Sequence, residues 1–148
     1  MPAIVSSFEI ARPPDEVYSY ATDPSRFPEW QNDVVRVRIE GGRPPGVGTR
    51  FTTIRRIGRV EQTTTQEITE ISPPRSWAAR GVDGPFRPSA GITVEPLGDG
   101  TRSLVTIALD FEGHRIGKLL PLDVIRRMAA KGAPKSYRNL KERLERGA

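Results

Sequence analysis

Cysteine is absent from the 148-residue chain and histidine occurs once, at His114. Disulfides, thiolate nucleophiles and cysteine-based zinc sites are therefore excluded, as is any centre that needs two imidazoles. No apolar run approaches the ~20 residues that span a bilayer, and the first thirty residues lack the basic-then-apolar pattern of a secretory signal. Aromatic residues make up only 7% of the chain, and none interleave with basic residues as a nucleic-acid stacking platform would. There is no Gly-x-Ser-x-Gly nucleophile elbow. Gly46-Val47-Gly48 lacks the glycine and lysine that would complete a phosphate-binding loop. These absences describe a soluble, cytoplasmic chain forming one domain over residues 1–148. It has no membrane insertion and specifies no cofactor and no metal site.

Glycine and proline are plentiful, at 14 each, which implies many turns. Val, Ile, Leu and Phe form about a quarter of the chain, enough for a folded core. The net charge is +5 and the pI about 10.1. Arginine supplies 19 of the 23 basic residues, scattered except for Arg55, Arg56 and Arg59, then Arg126, Arg127 and Lys131. Such scatter reads as a solvated basic face, and nucleic acid is not favoured as a partner.

Ile4, Ser6, Phe8 and Ile10 alternate with Val5, Ser7 and Glu9, which predicts a strand with one buried face. Pro14 then suits the first turn of a short helix, with Asp15 and Glu16 at its positive end. Asp23-Pro24 repeats that signal as N-cap and first residue of a second helix, kept brief by Pro28 and carrying Phe27 and Trp30. From Asn32 to Phe111 the period is two. Val35, Val37 and Ile39 share one face; Phe51, Thr53, Arg55 and Ile57 share another. Between Val60 and Ile71 the spacing of Ile68 and Ile71 breaks alternation and predicts a bulge. The composition of Thr63 to Glu67 does not choose which of its faces turns inward. Further strands are predicted over Trp77 to Val82 and Phe86 to Glu95, and Val105, Ile107, Leu109 and Phe111 give the cleanest alternation. Thereafter Leu122, Ile125, Ala129, Ala133, Tyr137, Leu140 and Leu144 form a helical stripe, with Pro134 and Gly132 predicting a kink or a break.

Short connections make the sheet antiparallel. Only the final helix is long enough to cover its apolar face. The expected fold is thus α+β: a curved antiparallel sheet of about seven strands, two short helices after the first strand, and a long C-terminal helix across the concave face. A straight helix on a curled sheet leaves space beside it, and apolar walls would make that space a ligand pocket.

Several strings strengthen this picture. They are Ile10-Ala11-Arg12-Pro13-Pro14-Asp15-Glu16-Val17, Asp23-Pro24-Ser25-Arg26-Phe27-Pro28-Glu29-Trp30, Gly48-Thr49-Arg50-Phe51, Ile68 to Pro74, Asp99-Gly100-Thr101-Arg102 and Leu140 to Glu145. In this order the chain resembles the START/Bet v 1-like (SRPBCC) superfamily, in its polyketide cyclase/dehydrase and lipid-transport branch. The resemblance implies a helix-grip fold with a hydrophobic cavity. It does not choose a function, since such families include cyclases, dehydratases, lipid and hormone binders, quinone binders and ribosome-associated factors.

Arg55, on the inward face with Phe51 and Thr53, would place a guanidinium toward the cavity to orient a carboxylate, phosphate or polarised carbonyl. The alternative is that it reaches water at a sheet edge or pairs with a glutamate between Glu61 and Glu70. His114, after the last strand, is the only side chain whose ordinary pKa suits proton transfer near neutrality, against the plainer reading of an exposed loop histidine. Asp110, Glu112 and His114 alternate on one face but lack a second cluster of metal ligands. Trp30 and Trp77 are weighed as core rather than ligand contacts. The expected cavity walls are Phe8, Ile10, Val37, Phe51, Thr53, Arg55, Ile107, Leu109, Phe111, Leu122, Ile125 and Met128. Three functions follow in order: binding of a small hydrophobic ligand such as a lipid or polyketide; polyketide cyclisation or dehydration with Arg55 and His114 as candidate catalytic groups; and docking of a basic surface on RNA, a ribosome or an anionic membrane. The sequence specifies no oligomeric state.

Overall fold

In the computed structural model, residues 4–41, 45–57, 59–83, 86–113 and 122–147 are described; the side chains at 57, 86, 112, 122–126 and 128 lie outside that description. Strand β1 (Ile4–Ile10) turns every second residue inward and ends on the fully buried Ile10. Helix α1 (Pro14–Ala21) starts with its proline in the first turn and buries Val17, Tyr18, Tyr20 and Ala21. The Asp23 side chain accepts a hydrogen bond from the Ser25 N–H at 3.0 Å, opening a single 3₁₀ turn, Pro24–Arg26. Helix α2 (Phe27–Trp30) follows, with Pro28 in its own first turn, where a missing N–H costs nothing.

Six further strands complete the sheet: β2 (Val34–Ile39), β3 (Arg50–Ile57), β4 (Val60–Ser72), β5 (Ser76–Gly81), β6 (Phe86–Leu97) and β7 (Arg102–Gly113). They form one seven-stranded sheet in the order β1-β7-β6-β5-β4-β3-β2, every pair antiparallel. From β2 to β7 consecutive strands neighbour one another, and β1 pairs with β7, which leaves β1 and β2 at the two edges. Helix α3 (Leu122–Glu145) packs against β1, β7, α1 and α2. This is the α+β helix-grip arrangement. Among the described residues no helix is long and apolar enough to cross a membrane.

One local expectation changes. The register of β2 against β3 shifts between Val34 and Arg36, so Val34 is buried while Val35 is 44% exposed. Only Val37 and Ile39 keep the inward face assigned to the valine run. At Pro134, where a kink or a break was expected, α3 runs on without a break. The carbonyl that loses its donor belongs to Ala130, and both residues are exposed, so water can take the bond. The bulge expected between Ile68 and Ile71 is present as a register shift between Ile68 and Glu70.

The C-terminal end of α3 is fastened to the start of the chain. Arg12 donates from Nε to the Leu144 carbonyl at 2.8 Å and from Nη2 to the Glu145 carbonyl at 3.0 Å. These are carbonyls a helix end leaves without intrahelical donors, and the guanidinium sits at the negative end of the helix dipole. Lys141 Nζ donates to the Glu9 carbonyl at 2.8 Å, and the Ala11 N–H donates to Glu145 Oε2 at 2.9 Å. The hydrogen bond from Lys141, then that from Ala11, holds the Glu145 carboxyl below its ordinary range. A depressed carboxyl contributes stability above its unfolded pKa and loses it as pH falls through the folded value. Arg12→Ala should therefore cost about 1–2 kcal/mol in urea unfolding at neutral pH. The smaller stability difference between the parent and Glu145→Gln should close as pH is lowered through the carboxylate range.

Candidate functional site

The inward face of α3 changes size along its length. Toward the C-terminus it buries Tyr137, Leu140 and Leu144, which close the seam against the sheet. Before Tyr137 the described residues that it turns toward the sheet are Ala129, Gly132, Ala133 and Ser136, and here a cavity of about 280 Å³ opens. A Cβ built on Gly132 would meet nothing within 4 Å. The sheet repeats the pattern, since Ala90 of β6 lines the cavity beside the larger Ile92. Small residues on both layers make the space.

Aromatic rings form one wall. Phe27 lies edge-on to Trp30, Phe51 and Trp77, with ring centroids 5.8, 5.9 and 6.0 Å away. All four line the cavity, and the two tryptophans are the chain's full complement. Strand β7 adds Ile107, Leu109 and Phe111, and β4 adds Gln62, Thr64 and Gln66. The lining is predominantly apolar.

The charged groups of the lining are already engaged. Arg55 donates from Nη1 to Asp33 Oδ1 and from Nη2 to Gln31 Oε1, both at 2.8 Å. Arg56, exposed at the rim, pairs with Glu61 at 3.0 Å. The segment carrying Gln31 and Asp33 also holds α3. The Asn32 N–H donates to Ser136 Oγ at 3.1 Å, the Ser136 hydroxyl donates to Asn32 Oδ1 at 2.7 Å, and Asn139 Nδ2 donates to the Trp30 carbonyl at 3.3 Å. One short loop thus joins β3 to α3 across the cavity wall.

Three buried polar atoms find no hydrogen-bond partner among the described residues: Trp30 Nε1, Thr53 Oγ1 and Tyr137 Oη. Trp30 and Tyr137 both line the cavity. Burial pushes the Tyr137 phenol up to about 12, against a smaller opposing pull from the Arg55 charge. The hydroxyl keeps its proton at neutral pH.

Of the residues expected from sequence, the structure places Phe51, Arg55, Ile107, Leu109 and Phe111 in the cavity wall. Four others lie elsewhere. Phe8 stacks on Tyr137 at 5.3 Å and fills the closed seam. Ile10 is fully buried where β1 meets the end of α3. Val37 packs against the core from the edge strand. Thr53 is fully buried one strand away from Thr64, its register partner, which does reach the cavity. Arg55 keeps 27% of its side chain exposed and pairs with no β4 glutamate; its partners precede β2. His114 and the side chains of Leu122, Ile125 and Met128 lie outside the described residues, as does Glu112. Among the described residues no three acidic or imidazole groups gather as a metal site would require. Trp30 and Trp77, weighed as core, are both core and cavity wall.

Gln31, Ser136 and Tyr137 were not expected in the site, and the composition of the Thr63 to Glu67 run, which carries Gln66, does not choose its inward face. A signal existed for Gln66: stepping back by two from the buried Ile68 turns Gln66 and Thr64 inward, and both are buried. No comparable pattern marks Gln31 or Ser136, whose roles depend on long-range partners. On the outer side of α3, Arg127, Lys131, Lys135 and Arg138 are exposed, the basic face expected from charge scatter.

A family model described as polyketide cyclase / dehydrase and lipid transport matches residues 1–145. Among solved structures, a START superfamily protein from Mycobacterium smegmatis superposes with a TM-score of 0.80 at 17% identity, each chain covered in full. The Zhui aromatase/cyclase from Streptomyces sp. R1128 gives 0.79 at 19% identity, covering 97% of this chain and 93% of its own. The di-domain ARO/CYC BexL gives 0.74 at 17% identity, with 98% of this chain spanning 47% of that one. At these identities the likeness establishes the fold. No curated protein matches the sequence at a significant level.

The Asp33–Arg55 pair is partly exposed, and so is worth less than a buried pair. Arg55→Met and Asp33→Asn should each lower stability by about 1 kcal/mol, and the double variant should lose less than the sum. A double-mutant cycle in urea measures the coupling.

Proposed function

The chain belongs to the polyketide cyclase / dehydrase and lipid transport family, and from that footing we propose that it binds a compact, predominantly apolar small molecule between the sheet and α3. Family and fold together support a ligand-binding or cyclase role. The observation that carries the finer reading is the 280 Å³ cavity, with four clustered aromatic rings in one wall and the small Ala129, Gly132 and Ala133 of α3 beside it. A ligand entering it gains roughly 25 cal/mol per Å² of apolar surface removed from water. Much of the surrounding wall is held before any ligand arrives, through Ser136–Asn32 and Arg55–Asp33, and a preorganised site loses less on binding.

Binding ranks ahead of turnover. A cyclase or dehydratase needs a group free to polarise a carbonyl. Arg55, the sequence candidate, is committed through both terminal nitrogens, Nη1 to Asp33 and Nη2 to Gln31, with its charge already paired.

Tetralin, a bicyclic hydrocarbon, is a suitable probe. Present at ten times its Kd, a ligand specific for the native state adds about 1.4 kcal/mol of stability, read as a rise in melting temperature. Gly132→Leu should project a side chain into the cavity and abolish that rise. The same variant should melt at or above the parent, because leucine exceeds glycine in helix propensity by close to 1 kcal/mol. If neither tetralin nor other compact bicyclic hydrocarbons stabilise the parent protein, the reading fails.

A further inference from the structure

Resting on the binding role just described, we propose that Gln66 selects flat ring amides, in which an N–H and a C=O stand side by side, over hydrocarbons and ketones of the same outline. Strand β4 turns a polar row into the cavity, since Gln62, Thr64 and Gln66 all line it. Thr64 and Gln66 are each only 5% exposed. On the opposite face of β3 and β4, Thr52 and Thr65 satisfy one another at 3.1 Å. The inward pair has no such arrangement: no hydrogen bond ties the side chain of Thr64 or Gln66 to a described residue. Nor are these polar heads sealed. The side-chain atoms that are both unpaired and closed to solvent belong to Trp30, Thr53 and Tyr137. The Gln66 amide therefore keeps surface on the cavity, where a guest reaches it, although the rest of the residue is buried.

A carboxamide needs two kinds of partner, because it carries both N–H donors and an accepting oxygen. A guest that displaces water from the cavity must supply both or leave one unpaired, and burying an unpaired polar group is unfavourable. A ketone offers an acceptor alone. An open-chain secondary amide holds its N–H and C=O on opposite sides, since its bond is trans. A small ring forces the cis form and sets donor and acceptor on one edge. That edge meets the Gln66 amide in two antiparallel hydrogen bonds.

The surroundings favour Gln66 as the recognising group. Arg55 and Arg56 are paired with Asp33 and Glu61, and Gln62 is only half-buried, within reach of water. Phe51 is the register partner of Gln66 on β3, and its ring centroid lies 6.2 Å from that of Trp77. A planar guest packed on this aromatic wall brings its edge to the adjoining amide. A dry apolar cavity of ~150 Å³ accommodates benzene, so about 280 Å³ has room for two fused rings.

The test is isothermal titration of the intact protein at neutral pH with oxindole, 2-indanone and indane. The three share one two-ring outline and differ in the edge they present: a ring amide, a ketone and a hydrocarbon. Oxindole should bind about 3- to 10-fold more tightly than 2-indanone, the gain of one further net hydrogen bond. Gln66→Met keeps the length of the side chain without its amide, and should erase that difference. Equal or weaker binding of oxindole in the parent overturns the inference while leaving the binding role intact, and this comparison needs no variant to fold. An oxindole preference that survives Gln66→Met overturns it too, since the pairing group then lies elsewhere. Failure of all three compounds to bind defeats the binding role itself.

Discussion

The arrangement depends on how α3 is fastened. At its C-terminal end the guanidinium of Arg12 meets the last carbonyls, and Lys141 returns a bond to the backbone of β1. Midway, Ser136 is bonded in both directions to Asn32. With the helix held at these points, its small residues cannot settle onto the sheet. A freely sliding helix would collapse until Ala129, Gly132 and Ala133 touched β6, since close packing is the lower-energy state of an apolar seam. Polar fastening on a rigid frame keeps a gap that packing alone would erase.

That frame explains why one short loop carries so much of the site. Gln31, Asn32 and Asp33 follow α2 directly, where Trp30 closes the aromatic wall. Asp33 and Gln31 hold β3 through Arg55, and Asn32 holds α3. The loop couples the two layers that bound the cavity, so changes on either side are transmitted through it. The family relationship sets the general scheme of sheet and helix; these particular side chains set the size and polarity of the cavity between them.

Much of the fold was legible in the sequence because it rests on local rules. Alternation in β1 and β7, prolines at helix starts and the helical stripe of α3 are all short-range patterns. Val35 misled because a bulge shifts register without any mark in a run of valines. The site was legible in part. Parity along β3 and β7 found Phe51, Arg55, Ile107, Leu109 and Phe111, yet the same parity also nominated Phe8, Ile10 and Thr53. Facing inward does not distinguish a residue that lines an open space from one that fills a seam. The difference lies in what stands opposite, and that is a matter of tertiary packing. Nor could periodicity pair Arg55 with Asp33, twenty-two positions earlier, because the partner's strand neighbours do not announce it.

Both tryptophans of the chain stand in the cavity wall, and tyrosine occurs only three times. An indole's emission follows the polarity and mobility of its surroundings. The protein's intrinsic luminescence therefore originates almost wholly at the place where a guest would sit, and the molecule carries its own optical gauge of occupancy without any attached dye.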